Sequence, residues 1–143
     1  MNWYQTGLAV HALVAVLGIG PVLAIALLAG EARAGSDRLP ATLASMARLA
    51  RITSISLGLM LLSGIGLMIP TRGAYGAAWW FRIAFVLFLV LGFFNGQLQR
   101  AVRVAGGAAS DASARAVARL STLAWTMCGI VAVIVILMAA KPF

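Results

Sequence analysis

The sequence predicts an all-α fold, a four-transmembrane-helix up-down bundle with both termini on the outer (periplasmic or extracellular) side. Three observations predict it. Of 143 residues, 63% are apolar and 10% are charged, against about 25% charged in an ordinary soluble domain. The apolar residues gather into four long runs, 7–30, 52–69, 77–96 and 120–140. Most of the basic residues fall in the first and third connections between those runs. A soluble sphere of this size has too little interior for so much apolar surface, so the bilayer is the solvent for most of the chain. One domain, 1–143, is expected, with spans over about 5–30, 52–70, 77–98 and 119–140.

A helix needs about 20 residues to cross a hydrocarbon core near 30 Å, and all four runs qualify. None alternates as a barrel strand does. The first has no Lys or Arg before Arg33 and too long an apolar stretch for a signal peptide, so a retained span is expected. Gly18, Gly20 and Pro21 are expected to kink or thin its centre, because proline removes a backbone hydrogen bond. Residues 31–40 read as a turn. Residues 41–53 look helical and should prolong the second span into the interface, with Pro40 suited to its first turn. Pro70, followed by Thr71, Arg72 and Gly73, ends that span. Gly92 and Gly96 form a GxxxG pair in the third span, and Ser54 and Gly58 a weaker small-residue pair; both are read as packing positions. Gly106 and Gly107 break the chain after the third span, and Ser110 or Asp111 can cap the last helix.

Orientation follows from the arginines. Arg33, Arg38, Arg48 and Arg51 lie in or beside the first connection, and Arg100, Arg103, Arg115 and Arg119 in or beside the third; the other side has Arg72, Arg82 and Lys141. Basic residues stay in the cytoplasm, so these two connections are expected inside. Trp3, Tyr4, Tyr75, Trp79, Trp80 and Phe143 fall at the opposite interface, where amphipathic rings collect. The net charge of +8 thus reports topology. No dense basic cluster or nucleic-acid motif accompanies it, and no nucleic-acid partner is expected. The single cysteine, Cys128, excludes an intrachain disulfide and a CxxC pair.

The candidate chemistry is narrow. Glu31, Asp37 and Asp111, the only carboxylates, all lie in connections. Coupled transport usually needs a carboxylate in the membrane, and paired-carboxylate or Ser-His-Asp catalysis lacks its acid. His11, the only histidine, lies roughly 10 Å into the first span by helix rise. It has two readings, a neutral imidazole bonded to a neighbouring helix, or a haem or metal ligand. Arg82, after Trp79, Trp80 and Phe81, either snorkels to head groups or clamps an anion such as a propionate. Asn95 and Gln97 are polar positions near the inner end of the third span. Met68 and Met138, near the outer ends, could complete a soft copper site with His11; methionine is also a common filler of apolar packing.

Three segments carry a resemblance: LAVHALVAVLGIGPVLAI in the first span, WWFRIAFVLFLVLG in the third, and IVAVIVILMAAKPF at the end. Together they resemble a group of small four-helix bacterial membrane proteins. The group includes HemJ-type protoporphyrinogen oxidases, CopD-like copper-resistance membrane domains and a related family of unknown function, to which the chain looks most similar. The resemblance implies a multi-pass protein of the bacterial inner (plasma) membrane. HemJ-type proteins bind haem b, and His11 matches the histidine of their first span. Their functional lysine falls on Arg82, which keeps the charge and changes the residue. A further histidine common in their third span appears as Asn95 or is absent, whereas Lys141, Pro142 and Phe143 agree with their ending. Bis-histidine ligation would need two copies of His11; one copy leaves haem five-coordinate.

Three functions are therefore expected in order. The first is a membrane protein binding haem b or a similar ligand near His11 and Arg82; if an enzyme, it is a haem-dependent oxidoreductase, but no complete catalytic set is present. The second is a non-enzymatic subunit of a homo-oligomer or larger membrane complex. The third is a small-solute or metal transporter or channel, for which four helices enclose little space.

Overall fold

A computed structural model describes residues 2–34, 37–69, 74–107 and 110–140, the side chains of 74, 75 and 110–112 excepted. Four α-helices account for nearly all of it: α1 (Trp3–Arg33), α2 (Leu39–Met68), α3 (Trp79–Gly107) and α4 (Ser110–Ala140). A 3-10 turn, Ala74–Ala77, precedes α3. No strand occurs among the described residues. All four helices are long and apolar enough to cross a membrane.

The helices outrun the apolar runs that predicted them. A helix of 31 residues such as α1 is about 46 Å long at 1.5 Å per residue, against about 30 Å of hydrocarbon. The excess lies mainly at the end that carries the arginines. There α2 begins at Leu39, well before its apolar run, with Pro40 in its first turn, as the helical look of residues 41–53 suggests. Helix α3 runs on to Gly107, and α4 begins at Ser110. The apolar runs do not announce these last two extensions, because polar residues interrupt them. The chain continues helically through Pro21. Pro70 to Gly73, Lys141 to Phe143 and the capping side chains of Ser110 and Asp111 lie outside the described residues.

The helices form a ring in chain order, α1 against α2, α2 against α3, α3 against α4, and α4 back against α1. The diagonal pairs make no close approach, and α2–α3 is the thinnest seam. The core is centred on Val22, Ile25, Met46, Leu98, Leu120 and Met127. Small residues recur around it, among them Ala26, Ala29, Ala50, Ala101 and Ala124, while Leu13, Val16, Leu62, Phe93 and Ile136 point outward. Alanines between the helices and large apolar side chains facing outward suit lipid, where small residues allow close backbone approach and outward apolar side chains meet an apolar solvent.

The α1–α2 seam has a legible register. Gly7 faces Leu67 so closely that a Cβ added to the glycine would lie only 3.1 Å from Leu67 Cδ2. Four residues on, His11 reaches Ser63 and Gly64, four residues back along α2. Seven further, Gly18 faces Ser56, seven further back. Residues 7, 11 and 18 share one helix face, so a stripe of two glycines and one histidine lies along α2.

The GxxxG pair does not do what its spacing suggested. Gly92 and Gly96 are exposed, and a Cβ at either would meet nothing within 4 Å. Close approach within this chain uses Gly7 and Gly18 instead. Gly58 is likewise open.

Candidate functional site

His11 sits half-buried on α1, two to three turns from the aromatic end. Its Nδ1 lies 2.8 Å from Ser63 Oγ. Ser63 Oγ in turn donates to the Met60 carbonyl at 3.1 Å. The hydroxyl has one proton, and the carbonyl can only accept. With that proton on the carbonyl, Nδ1 carries its own hydrogen and donates it to Ser63. In that tautomer the neutral ring keeps a lone pair on Nε2, which has no hydrogen-bond partner among the described residues; with the hydroxyl proton on Nδ1 instead, Nε2 carries the ring hydrogen. Gly64 faces the ring edge, its Cβ position 3.6 Å from His11 Cε1. Orientation of an imidazole through its second nitrogen is how proteins prepare histidine as a ligand.

Arg82 lies in the first turns of α3, at the same end of the bundle. Its Nε donates to the Gly76 carbonyl at 2.9 Å, which folds the 3-10 turn onto the start of α3. The side chain is otherwise exposed. Beside it Trp80 is buried, edge-on to Phe81 at 6.1 Å and 87°. His11 and Arg82 stand on α1 and α3, a diagonal pair, and the structure does not bring them into contact. Met68 is half-buried near the 3-10 turn, its Cε 3.5 Å from the Cβ position of Gly76. Met138 is exposed on α4, diagonal to α2. No group of three His, Cys, Asp or Glu residues suits a metal ion among the described residues.

A second polar cluster joins α2 to α3 nearer the basic end. Asn95 Nδ2 donates to Ser54 Oγ at 2.7 Å and to the Ala50 carbonyl at 3.2 Å. Gln99 Nε2 donates to the same two acceptors at 2.7 and 3.4 Å. Ser54 passes its own proton to the Ala50 carbonyl at 3.2 Å. Asn95 is 1% exposed, and among the described residues its Oδ1 has no partner; nor has the hydroxyl of Thr53. The partner of Asn95 along α3 is thus Gln99, one turn away, and not Gln97. Sequence held the signal in the i, i+4 spacing. Ser63 was also findable, as the only hydroxyl residue in the last two-thirds of α2's apolar run.

At the bundle centre, a cavity of about 20 Å³ is lined by Gly18, Ile19, Leu57, Met60, Phe88, Leu91, Val131 and Ile134. It has room for about one water, but its walls are apolar and offer that water no partners. Cys128 is a half-buried free thiol whose Sγ lies 3.8 Å from the Val22 carbonyl, on the α1–α4 seam.

These features define a class, a four-helix integral membrane protein with apolar, lipid-facing sides and one strongly basic end. No known protein family, curated protein or solved structure matches the chain.

Proposed function

We propose that this chain is a haem-associated integral membrane protein of the HemJ- and CopD-related group, with His11 as the iron ligand. One observation carries the reading, the His11–Ser63 pair, which engages Nδ1 and leaves Nε2 without a partner among the described residues, in a protein with no other histidine. The donor chemistry fits haem iron, which accepts a single proximal histidine. The central cavity does not fit a macrocycle, and His11 is not in its wall. Iron would supply one-electron chemistry. Ser63 would hold the ring of His11 in its tautomer, and the free donors of Arg82 suit a carboxylate at the same end of the bundle. With His11 committed to iron, no further histidine or carboxylate is left within the spans to act as a general acid or base, so the reading is of a carrier or accessory protein of a bacterial plasma membrane complex. The experiment is an absorption spectrum after haem-replete expression. A Soret band is expected, lost in His11→Ala and shifted or weakened in Ser63→Ala. A colourless protein that folds normally would remove the reading.

A second reading, a non-enzymatic subunit without haem, is favoured by one observation. His11 already has a satisfied interhelical bond that locks α1 to α2. On that reading His11→Ala lowers stability and changes no spectrum.

A further inference from the structure

The basic end is not uniformly basic. Two of its arginines flank the thinnest seam, Arg51 beside Ser54 on α2 and Arg103 one turn beyond Gln99 on α3, while Arg48 and Arg100 lie further round their helices. The Ser54 cluster fixes their level. Gln99 reaches Ala50 and Ser54, so Arg51 and Arg100 stand beside that contact and Arg103 one turn beyond it. All four are exposed. Among the described residues no carboxylate or carbonyl engages their guanidinium groups. The carboxylates whose side chains are described are Glu31, in the last turn of α1, and Asp37, in the α1–α2 connection. Clustered like charges at the edge of hydrocarbon repel one another unless an anion is shared between them.

On the other side of the cluster the seam is open. Gly92, Gly96, Gln99 and Arg103 follow the i, i+4, i+7, i+11 spacing of one helix stripe, and Arg51, Ser54 and Gly58 that of another. The glycines on both stripes are exposed, with nothing within 4 Å of a Cβ. From mid-bundle towards the basic end, the groove therefore runs from a bare apolar slot through a polar step to cations. That is the order of chain, glycerol region and phosphate in a phospholipid. Basic residues between transmembrane helices bind anionic head groups in this way.

We propose that the α2–α3 seam is a binding site for one anionic phospholipid. Its phosphate is held by Arg51 and Arg103. One acyl chain lies in the slot over Gly58, Gly92 and Gly96. The site needs only the membrane-spanning bundle and is independent of the haem reading.

The test uses the full chain in mild detergent, with phosphatidylglycerol and phosphatidylcholine of identical chains as probes. Native mass spectrometry counts bound lipid, and thermal unfolding reads its effect. Phosphatidylglycerol is expected to bind one-to-one and stabilise, and phosphatidylcholine to bind at least tenfold more weakly. The double variant Arg51→Gln/Arg103→Gln should lose about 10- to 30-fold in phosphatidylglycerol affinity, from roughly fivefold per guanidinium. The control double Arg33→Gln/Arg119→Gln removes the same charge from the same end, away from the seam, and should change affinity less than twofold. Gly92→Leu keeps every arginine, fills the slot and should also weaken binding. Equal losses in the two doubles would mean diffuse attraction and overturn the proposal. So would equal affinity for the two lipids, unchanged affinity in Gly92→Leu, or a dimer of chains in place of the lipid adduct.

Discussion

Gly18 is the tightest position on the α1–α2 seam, and its replacement can be worked through. A Cβ at Gly18 would lie 3.0 Å from Ser56 Cβ, whereas carbon atoms rest at about 3.5–4.0 Å. The shortfall is roughly 0.5–1 Å. Ser56 Cβ is fixed to its backbone, so no rotamer relieves the contact, and α1 and α2 must part. Overpacking of this kind costs about 1–3 kcal/mol. Alanine in place of glycine returns up to about 1 kcal/mol of helix propensity. Gly129, in the middle of α4, is exposed and faces open space, so Gly129→Ala gains the propensity term without the clash. The difference between Gly18→Ala and Gly129→Ala therefore isolates the clash, about 1–3 kcal/mol against Gly18→Ala. Unfolding in mixed micelles, followed by tryptophan fluorescence, measures both. Ser56→Gly removes the opposing atom, and in its background the cost of Gly18→Ala should largely vanish, a coupling that a double-mutant cycle reads directly. Stabilities within about 0.5 kcal/mol for the two alanine variants, a margin near the error of additivity, would refute the register. So would a cost that Ser56→Gly leaves unchanged.

Ser54→Ala takes one acceptor from both amides of the α2–α3 cluster and should cost about 1 kcal/mol, at roughly 0.6 kcal/mol per interhelical bond in a bilayer; Asn95→Ala should then cost less in that background than alone, by the same unfolding assay. Ser63→Ala should destabilise the bundle less than Gly18→Val, because it removes one hydrogen bond and opens no seam; relative melting temperatures check the order. Single cysteines at Asp37 and Gly106, on a Cys128→Ser background, should both label with a membrane-impermeant maleimide from one face of sealed vesicles, and one at Asn2 from the other face. Native Cys128 should resist that reagent until detergent is added, since its thiol is half-buried within a span.

The fold was legible because lipid imposes a one-dimensional rule: backbone groups must be satisfied within each apolar segment, so length and composition alone yield four helices. The arginines gave the pairing of ends, and all eight do stand at one end of the bundle. Which helix faces touch was harder to read. In a soluble helix the apolar stripe marks the core, but here both faces of α1 are apolar, and only glycine, histidine and the hydroxyls break the monotony. His11 stood out for its cost in lipid, yet its partner Ser63 follows from the α1–α2 register, which no single helix reveals. The GxxxG spacing misled for a related reason: small residues permit close approach, and the rest of the packing decides whether it occurs. Gln99 was missed beside Asn95 because it lies past the apolar run, in a helical extension that composition reads as interface.

The two seams of α2 are held by different physics, and that difference orders the molecule. Against α1, α2 is locked sterically along much of its length, by Gly7 with Leu67, His11 with Ser63 and Gly18 with Ser56. Against α3, Ser54 and Ala50 of α2 accept from the amides of Asn95 and Gln99, a hydrogen-bonded latch nearer the basic end. Parting α1 from α2 would leave a histidine ring nitrogen without its partner in hydrocarbon and expose the faces of two glycines. Parting α2 from α3 at the level of Gly58 and Gly92 uncovers no packed glycine, since the glycines there already face outward. An amphiphile entering the bundle from the bilayer therefore meets least resistance between α2 and α3. The same cluster limits how far that seam can open: the amides of Asn95 and Gln99 converge on one hydroxyl and one carbonyl, and separating them leaves several polar groups unpaired at once. The α2–α3 seam is thus open towards mid-bundle and latched beside the arginines, a geometry that admits a chain while holding its charged end.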